Sequence, residues 1–125
     1  MTKFGPLVMA ALVVAGCFAF RGHPEPNEPV PSELFAAIVD DAATRAHVDQ
    51  SSISTLAAAG ITWADTSLGC PEPGVVYEQI EVAGYRVVLS ASGSDGEYYD
   101  YHADRNGRFI LCPKDRAAPG VYPSP

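Results

Sequence analysis

A histidine flanked by carboxylates is the first feature of this chain that could do chemistry. His102 stands two residues after Asp100 and two before Asp104, with Glu97 close by. Residues two apart on a strand share a face, so Asp100 and His102 can approach one point. Such a pair could orient or charge an imidazole for acid–base work, or hold an ion with a third ligand. The other histidines, His23 and His47, fall in a tether and at a helix end. No HExxH, paired-His spacing or Asp-rich calcium loop occurs, so neither a metal nor a cofactor is expected. Cys70, in Gly69-Cys70-Pro71, could act as a thiolate if His102 served it as base. Ser67 lies in a tight Gly-containing loop but outside a Gly-x-Ser-x-Gly elbow. Asp65 and Glu72 could pair for glycoside cleavage, although two loop acids seven residues apart are common.

Composition narrows the setting for that chemistry. The chain has 125 residues, 47% of them hydrophobic and 18% charged, which excludes a collagen, a coiled coil and a wholly disordered chain. Eight Lys and Arg face fifteen Asp and Glu, for a net charge of −7. Nucleic acid is not an expected partner, because phosphate contacts need clustered cations.

Cysteine usage points out of the cytoplasm. Lys3 is followed by the apolar run Pro6 to Ala15, which leads into Val14-Ala15-Gly16-Cys17. Small residues directly ahead of a cysteine are what a bacterial lipoprotein signal presents. The thiol takes up diacylglycerol, and cleavage leaves Cys17 as the acylated N-terminus. Residues 1–16 are then a signal peptide, and the lipid anchors the chain to the membrane. An uncleaved anchor over Phe4 to Phe20, or plain secretion after a cut near Ala15 or Ala19, are the alternatives. All three place the domain in an oxidising space. With Cys17 lipidated, Cys70 and Cys112 remain as an even pair and are expected to form a disulfide. It would close a loop of about 42 residues and contribute about 2–4 kcal/mol.

The elements that must position these groups follow from punctuation and period. Four prolines between 21 and 31 make residues 17–31 an extended tether behind the lipid, and four more between 113 and 125 mark a loose tail. The folded domain is therefore expected at 32–112. Ser32 can cap a helix with Glu33 in its first turn, and Leu34, Phe35, Ile38, Val39, Ala42 and Ala46 recur at helical spacing as far as His47. Ile53 to Trp63 is a weak strand candidate, with a helical turn as the alternative. Residues 66–74 form a structured loop rich in Pro and Gly. Val75 to Val82, Tyr85 to Ala91, Glu97 to His102 and Arg108 to Cys112 read as strands, with turns at 92–96 and 104–107. The expected fold is α+β: one N-terminal helix packed on a three- to four-stranded antiparallel meander, with one disulfide.

Several of these segments together carry a family resemblance. They are Ile61-Thr-Trp63, Ser67-Leu-Gly-Cys-Pro-Glu-Pro-Gly74, Tyr77-Glu-Gln79, Gly84-Tyr-Arg-Val-Val-Leu89, Tyr99-Asp-Tyr-His102, Gly107 and Cys112. The pattern, over roughly residues 53–112, resembles a family of small, uncharacterised bacterial secreted proteins and lipoproteins. Ala64 and Ala83 stand where that pattern often has proline, which implies altered turn stiffness. The resemblance implies an extracytoplasmic location and a disulfide, and it implies no reaction.

The functional expectation is a non-enzymatic, lipid-anchored module that binds an envelope protein or peptide. A protease-inhibitor-like or envelope-regulatory role is included in that reading. Its candidate surface is the loop with Ser67, Pro71, Glu72 and Pro73, together with the strand face carrying Tyr98, Asp100 and His102. A rigid Pro/Gly loop loses little entropy on binding, and tyrosine suits interfaces. The alternatives are a small hydrolase or metal-dependent enzyme centred on His102 with Asp100 or Asp104, and a structural envelope spacer.

Overall fold

Proline fixes where the helix begins. The computed structural model describes residues 28–93 and 97–117; the 1–16 segment, Cys17, the tether up to residue 27, residues 94–96 of the expected hairpin and the tail from 118 lie outside the described residues. Pro31 occupies the N-cap with φ −54° and ψ 137°, and its carbonyl accepts the first helical bond from Phe35 N–H at 2.9 Å. Ser32 is thus the first helical residue and makes no capping bond, contrary to expectation. Helix α1 runs Ser32–Ala46. His47 leaves it in the left-handed region (φ 55°), and Val48 N–H returns to the Ala43 carbonyl at 3.1 Å, closing the last turn.

Four strands follow as an antiparallel meander in the order β1 (Ile53–Trp63), β2 (Val82–Ala91), β3 (Tyr98–Asp104), β4 (Phe109–Leu111). The 53–63 segment is a strand along its whole length, with a bulge between Thr55 and Ala57. Val75 to Glu81, expected as the start of a strand, has no sheet partner, and β2 begins only at Val82. Its β-branched residues favour a pleated neighbour but have none, because the segment is folded back on its own loop.

Alternation along β2 and β3 divides the sheet into two faces. Tyr85, Val87, Leu89, Tyr101 and Ala103 face α1 and bury Leu34, Ile38 and Ala42. Burying side chains such as Ile38 and Leu89 contributes about 1.5–3 kcal/mol each. The Tyr101 hydroxyl escapes the apolar interior by donating to Asp41 at 2.7 Å. The opposite face carries Gly84, Arg86, Val88, Asp100 and His102 and is covered by the segment after β1. A Cys70–Cys112 disulfide, with Cα atoms 5.8 Å apart, pins that segment to the end of β4. Glu28 stitches the incoming chain to the outer edge of β1: its carbonyl accepts from Gly60 N–H at 2.9 Å, and its carboxylate meets Tyr85 Oη and Arg105.

Candidate functional site

The connection between β1 and β2 has a buried first half and an exposed second half. Asp65 organises the first half. Its Oδ1 accepts both the backbone N–H of Ser67 at 2.9 Å and the Ser67 hydroxyl at 2.5 Å, an Asx-type turn. These two bonds hold the Asp65 carboxyl below its ordinary range. Cys70 N–H then bonds the Ser67 carbonyl at 3.1 Å. Leu68 is held at φ +56°, a conformation that costs a side-chain-bearing residue energy. Its carbonyl faces His102.

Beneath this cover lies a polar seam. The His102 ring is fully buried and stacks on Trp63, with centroids 4.5 Å apart and planes at 21°. Trp63 Nε1–H donates to the Ala103 carbonyl at 3.0 Å. His102 Nδ1 lies 2.5 Å from the Leu68 carbonyl oxygen, which can only accept, so Nδ1 carries a proton. Nε2 sits 3.3 Å from Asp100 Oδ2, an ion-pair distance without hydrogen-bond geometry. Arg86, directly across from His102 on β2, reaches diagonally to Asp100 with Nε–Oδ1 at 2.9 Å and Nη2–Oδ2 at 3.2 Å. Burial pushes the Asp100 carboxyl up, but His102 and Arg86 beside it more than offset that, and the net shift is downward.

Glycine makes room for the indole. A Cβ at Gly69, where φ is +67°, would lie 2.7 Å from the Trp63 ring. A Cβ at Gly84 would lie 1.9 Å from the Ala103 carbonyl oxygen and 2.9 Å from Trp63 Nε1. Only a bare backbone passes at either position.

The second half of the loop faces solvent. Glu72-Pro73-Gly74-Val75 closes through a Val75 N–H to Glu72 carbonyl bond of 3.2 Å, with Gly74 at φ +80°, the signature of a type II turn. Glu72 N–H donates to the Tyr77 hydroxyl at 3.0 Å. Further on, Glu78 is tied to Thr66 twice, its N–H to Thr66 Oγ1 at 3.0 Å and its carbonyl to Thr66 N–H at 3.2 Å. Between these ties Val76 is 96% exposed, next to exposed Val75, and exposed Ile80 follows beyond Glu78. Arg116 reaches Glu72 at 2.8 Å.

The expected surface therefore divides. Pro71, Glu72 and Pro73 are exposed on the stapled loop. Ser67, Asp100 and His102 are buried and belong to no surface: Ser67 is part of the Asp65–Cys70 segment, and that segment covers the sheet face that carries Asp100 and His102. Tyr98 is 37% exposed at the start of β3, with Lys114 Nζ 4.4 Å above its ring, in an open groove of about 940 Å³ floored by Phe109 and Leu111. Cys70 is a half-cystine rather than a thiolate. Asp104 accepts from Asn106 and Arg108 N–H groups and so is committed to its own turn. Ser67 is bonded to Asp65 and not to His102. Among the described residues no three His, Cys, Asp or Glu side chains gather as a metal site. Arg86 carries no signal in the sequence, because its partnership with Asp100 exists only in the β2–β3 register. Val75 and Val76, whose β-branching predicts a strand, form the loop's exposed apolar tip.

Residues 35–112 match the sequence model of a family described as Domain of unknown function (DUF8738). The chain belongs to that family. The matched segment takes in most of α1, the whole meander and both half-cystines, so the DUF8738 domain coincides with the folded unit described above. No curated protein and no solved structure matches the chain.

Proposed function

We propose that this DUF8738 protein is a lipid-anchored extracytoplasmic binding module whose contact surface is the stapled loop from Pro71 to Ile80. The observation that carries the reading is Val76: a β-branched apolar side chain 96% exposed, on a loop fastened at both ends. Exposed apolar side chains grouped on a constrained loop favour association, since burying them on a partner is rewarded and little chain entropy is lost. Cys17, following Ala15-Gly16, supports the anchored extracytoplasmic setting, as does a half-cystine pair in the domain. His102 is closed off from solvent, which offers a substrate no approach in this arrangement.

Site-specific photo-crosslinking tests the contact surface. A photoreactive residue at position 76 is expected to give a discrete adduct in intact cells, competed by wild-type protein, whereas one at the exposed turn residue Asn106 gives none. The same adducts from both positions would remove the loop from the account. Intact-mass analysis of the membrane-extracted protein is expected to show a chain that begins at Cys17 and carries acyl chains, and a full-length or unacylated chain would remove the lipid.

A further inference from the structure

We propose that the loop is a protease-inhibitory loop with Val76 as its primary specificity residue, directed at a serine protease whose primary pocket takes small aliphatic side chains. This rests on the reading of the loop as the contact surface and adds the class of partner. Three observations on one segment support it.

The first is shape. The segment after the Glu72–Val75 turn joins no sheet in the domain, and its tip side chain projects fully into solvent. An exposed segment with an apolar tip side chain and no strand beside it suits a concave partner that takes that side chain in a pocket and supplies main-chain hydrogen bonds. A protease cleft does both.

The second is the bracing of the Val76–Tyr77 bond. On its N-terminal side the chain is held by the Cys70–Cys112 disulfide and the type II turn, and Tyr77 Oη reaches back across the bond to Glu72 N–H. On its C-terminal side Glu78 is bonded twice to Thr66. An inhibitor that has already lost its loop entropy binds more tightly than a flexible substrate of the same sequence.

The third is covalent connectivity. Cleavage after Val76 would put Cys70 and Cys112 on different fragments, and the disulfide joins them. In the acyl-transfer step the protease's serine oxygen adds to the Val76 carbonyl carbon and gives up its proton to the protease's histidine. The Val76–Tyr77 C–N bond breaks, and that proton passes to the leaving Tyr77 nitrogen. Thr66 and the Glu72 contact keep this amine beside the acyl-enzyme, where its attack on the ester reforms the peptide bond and regenerates the serine hydroxyl. Water competes poorly with an amine held in place.

The side chain sets the pocket. Valine is β-branched, uncharged and small, so it suits a shallow aliphatic pocket and not a deep one with an acidic base.

The test uses the disulfide-bonded protein against elastase-type, chymotrypsin-type and trypsin-type serine proteases, each assayed with a chromogenic peptide. Wild type is expected to inhibit the elastase type competitively and selectively. Val76→Asp is expected to weaken that inhibition on the order of 100-fold, as for an interface hot spot, and Val76→Arg to transfer inhibition to the trypsin type. Both substitutions sit at an exposed side chain, and circular dichroism checks that the fold is unchanged. Failure to inhibit any of the three, inhibition equally strong in Val76→Asp, or rapid cleavage after Val76 without inhibition would each overturn the proposal. A crosslink from position 76 alongside no protease inhibition would overturn this inference while leaving the binding reading intact.

Discussion

The indole of Trp63 lies flat on the imidazole of His102 while its Nε1–H is bonded to the carbonyl of Ala103, the residue after that histidine. One side chain thus fixes both a ring and the strand that carries it. Trp63→Phe keeps an aromatic face but leaves the Ala103 carbonyl without this donor. It is expected to destabilise by about 1–3 kcal/mol. Trp63→Ala also opens a cavity and is expected to cost about 3–5 kcal/mol. Urea unfolding followed by far-ultraviolet circular dichroism measures both, since Trp63 is the sole tryptophan and its fluorescence is lost with it.

Gly84→Ala is expected to be worse than Gly74→Ala. The added methyl at position 84 would meet a backbone carbonyl 1.9 Å away in the middle of the sheet, which cannot move without breaking register. Overpacking of this kind costs about 1–3 kcal/mol or more. At Gly74 nothing lies within 4 Å, and only the positive φ is penalised. Thermal melts of the two variants give the order directly, and equal melting temperatures would contradict the close approach.

Asp100 holds the charge balance of the covered face. Removing it leaves Arg86 largely buried without its carboxylate, and Asp100→Ala is expected to cost about 3–5 kcal/mol. The folded carboxyl titrates below its unfolded value. The stability it contributes is therefore fully present above the ordinary carboxylate range near about pH 4 and is lost as pH falls through that range towards the folded value. Asp41 acts with the same sign: burial raises its carboxyl, and the bonds from Arg45 and Tyr101 outweigh that. Unfolding free energy measured from pH 7 down to pH 2 should fall steeply below about pH 5 in wild type and less steeply in Asp100→Asn.

Reduction of the Cys70–Cys112 bond is expected to lower stability by about 2–4 kcal/mol. The paired substitution Cys70→Ser with Cys112→Ser should reproduce the loss, and its melting temperature should be insensitive to dithiothreitol. Limited proteolysis should then cut first between residues 71 and 80, where the loop has lost its covalent tie.

Much of this architecture is legible in the residues themselves. Pro31 and the three- and four-residue spacing from Leu34 to Ala46 give the helix, and the alternation of Tyr85 to Ala91 and Tyr98 to His102 gives two central strands. The half-cystine pairing follows from counting sulfurs by compartment. Alternation also shows that Asp100 and His102 share a face, but it carries no information on which face a distant loop covers, so the pattern alone presents a buried seam as a surface. Val75 to Glu81 misled for a related reason. β-Branching reports fitness for a sheet, and the Glu72 turn and the Thr66–Glu78 bonds deny the segment a neighbouring strand. Gly69 and Gly84 were the available signal for the indole, and their meaning appears only when the chain is folded around Trp63.

The two sides of the sheet are closed by unlike means, an oily helix on one and a sulfur-fastened strap over ion pairs on the other. They need not yield together. Under reducing conditions water should reach the Arg86 and Asp100 side while the α1 side stays dry, so that amide protons of residues 65–70 exchange well before those of Val87 and Leu89. That order of exchange would identify the disulfide as the fastening of the strap alone, with the helix side held by its own packing.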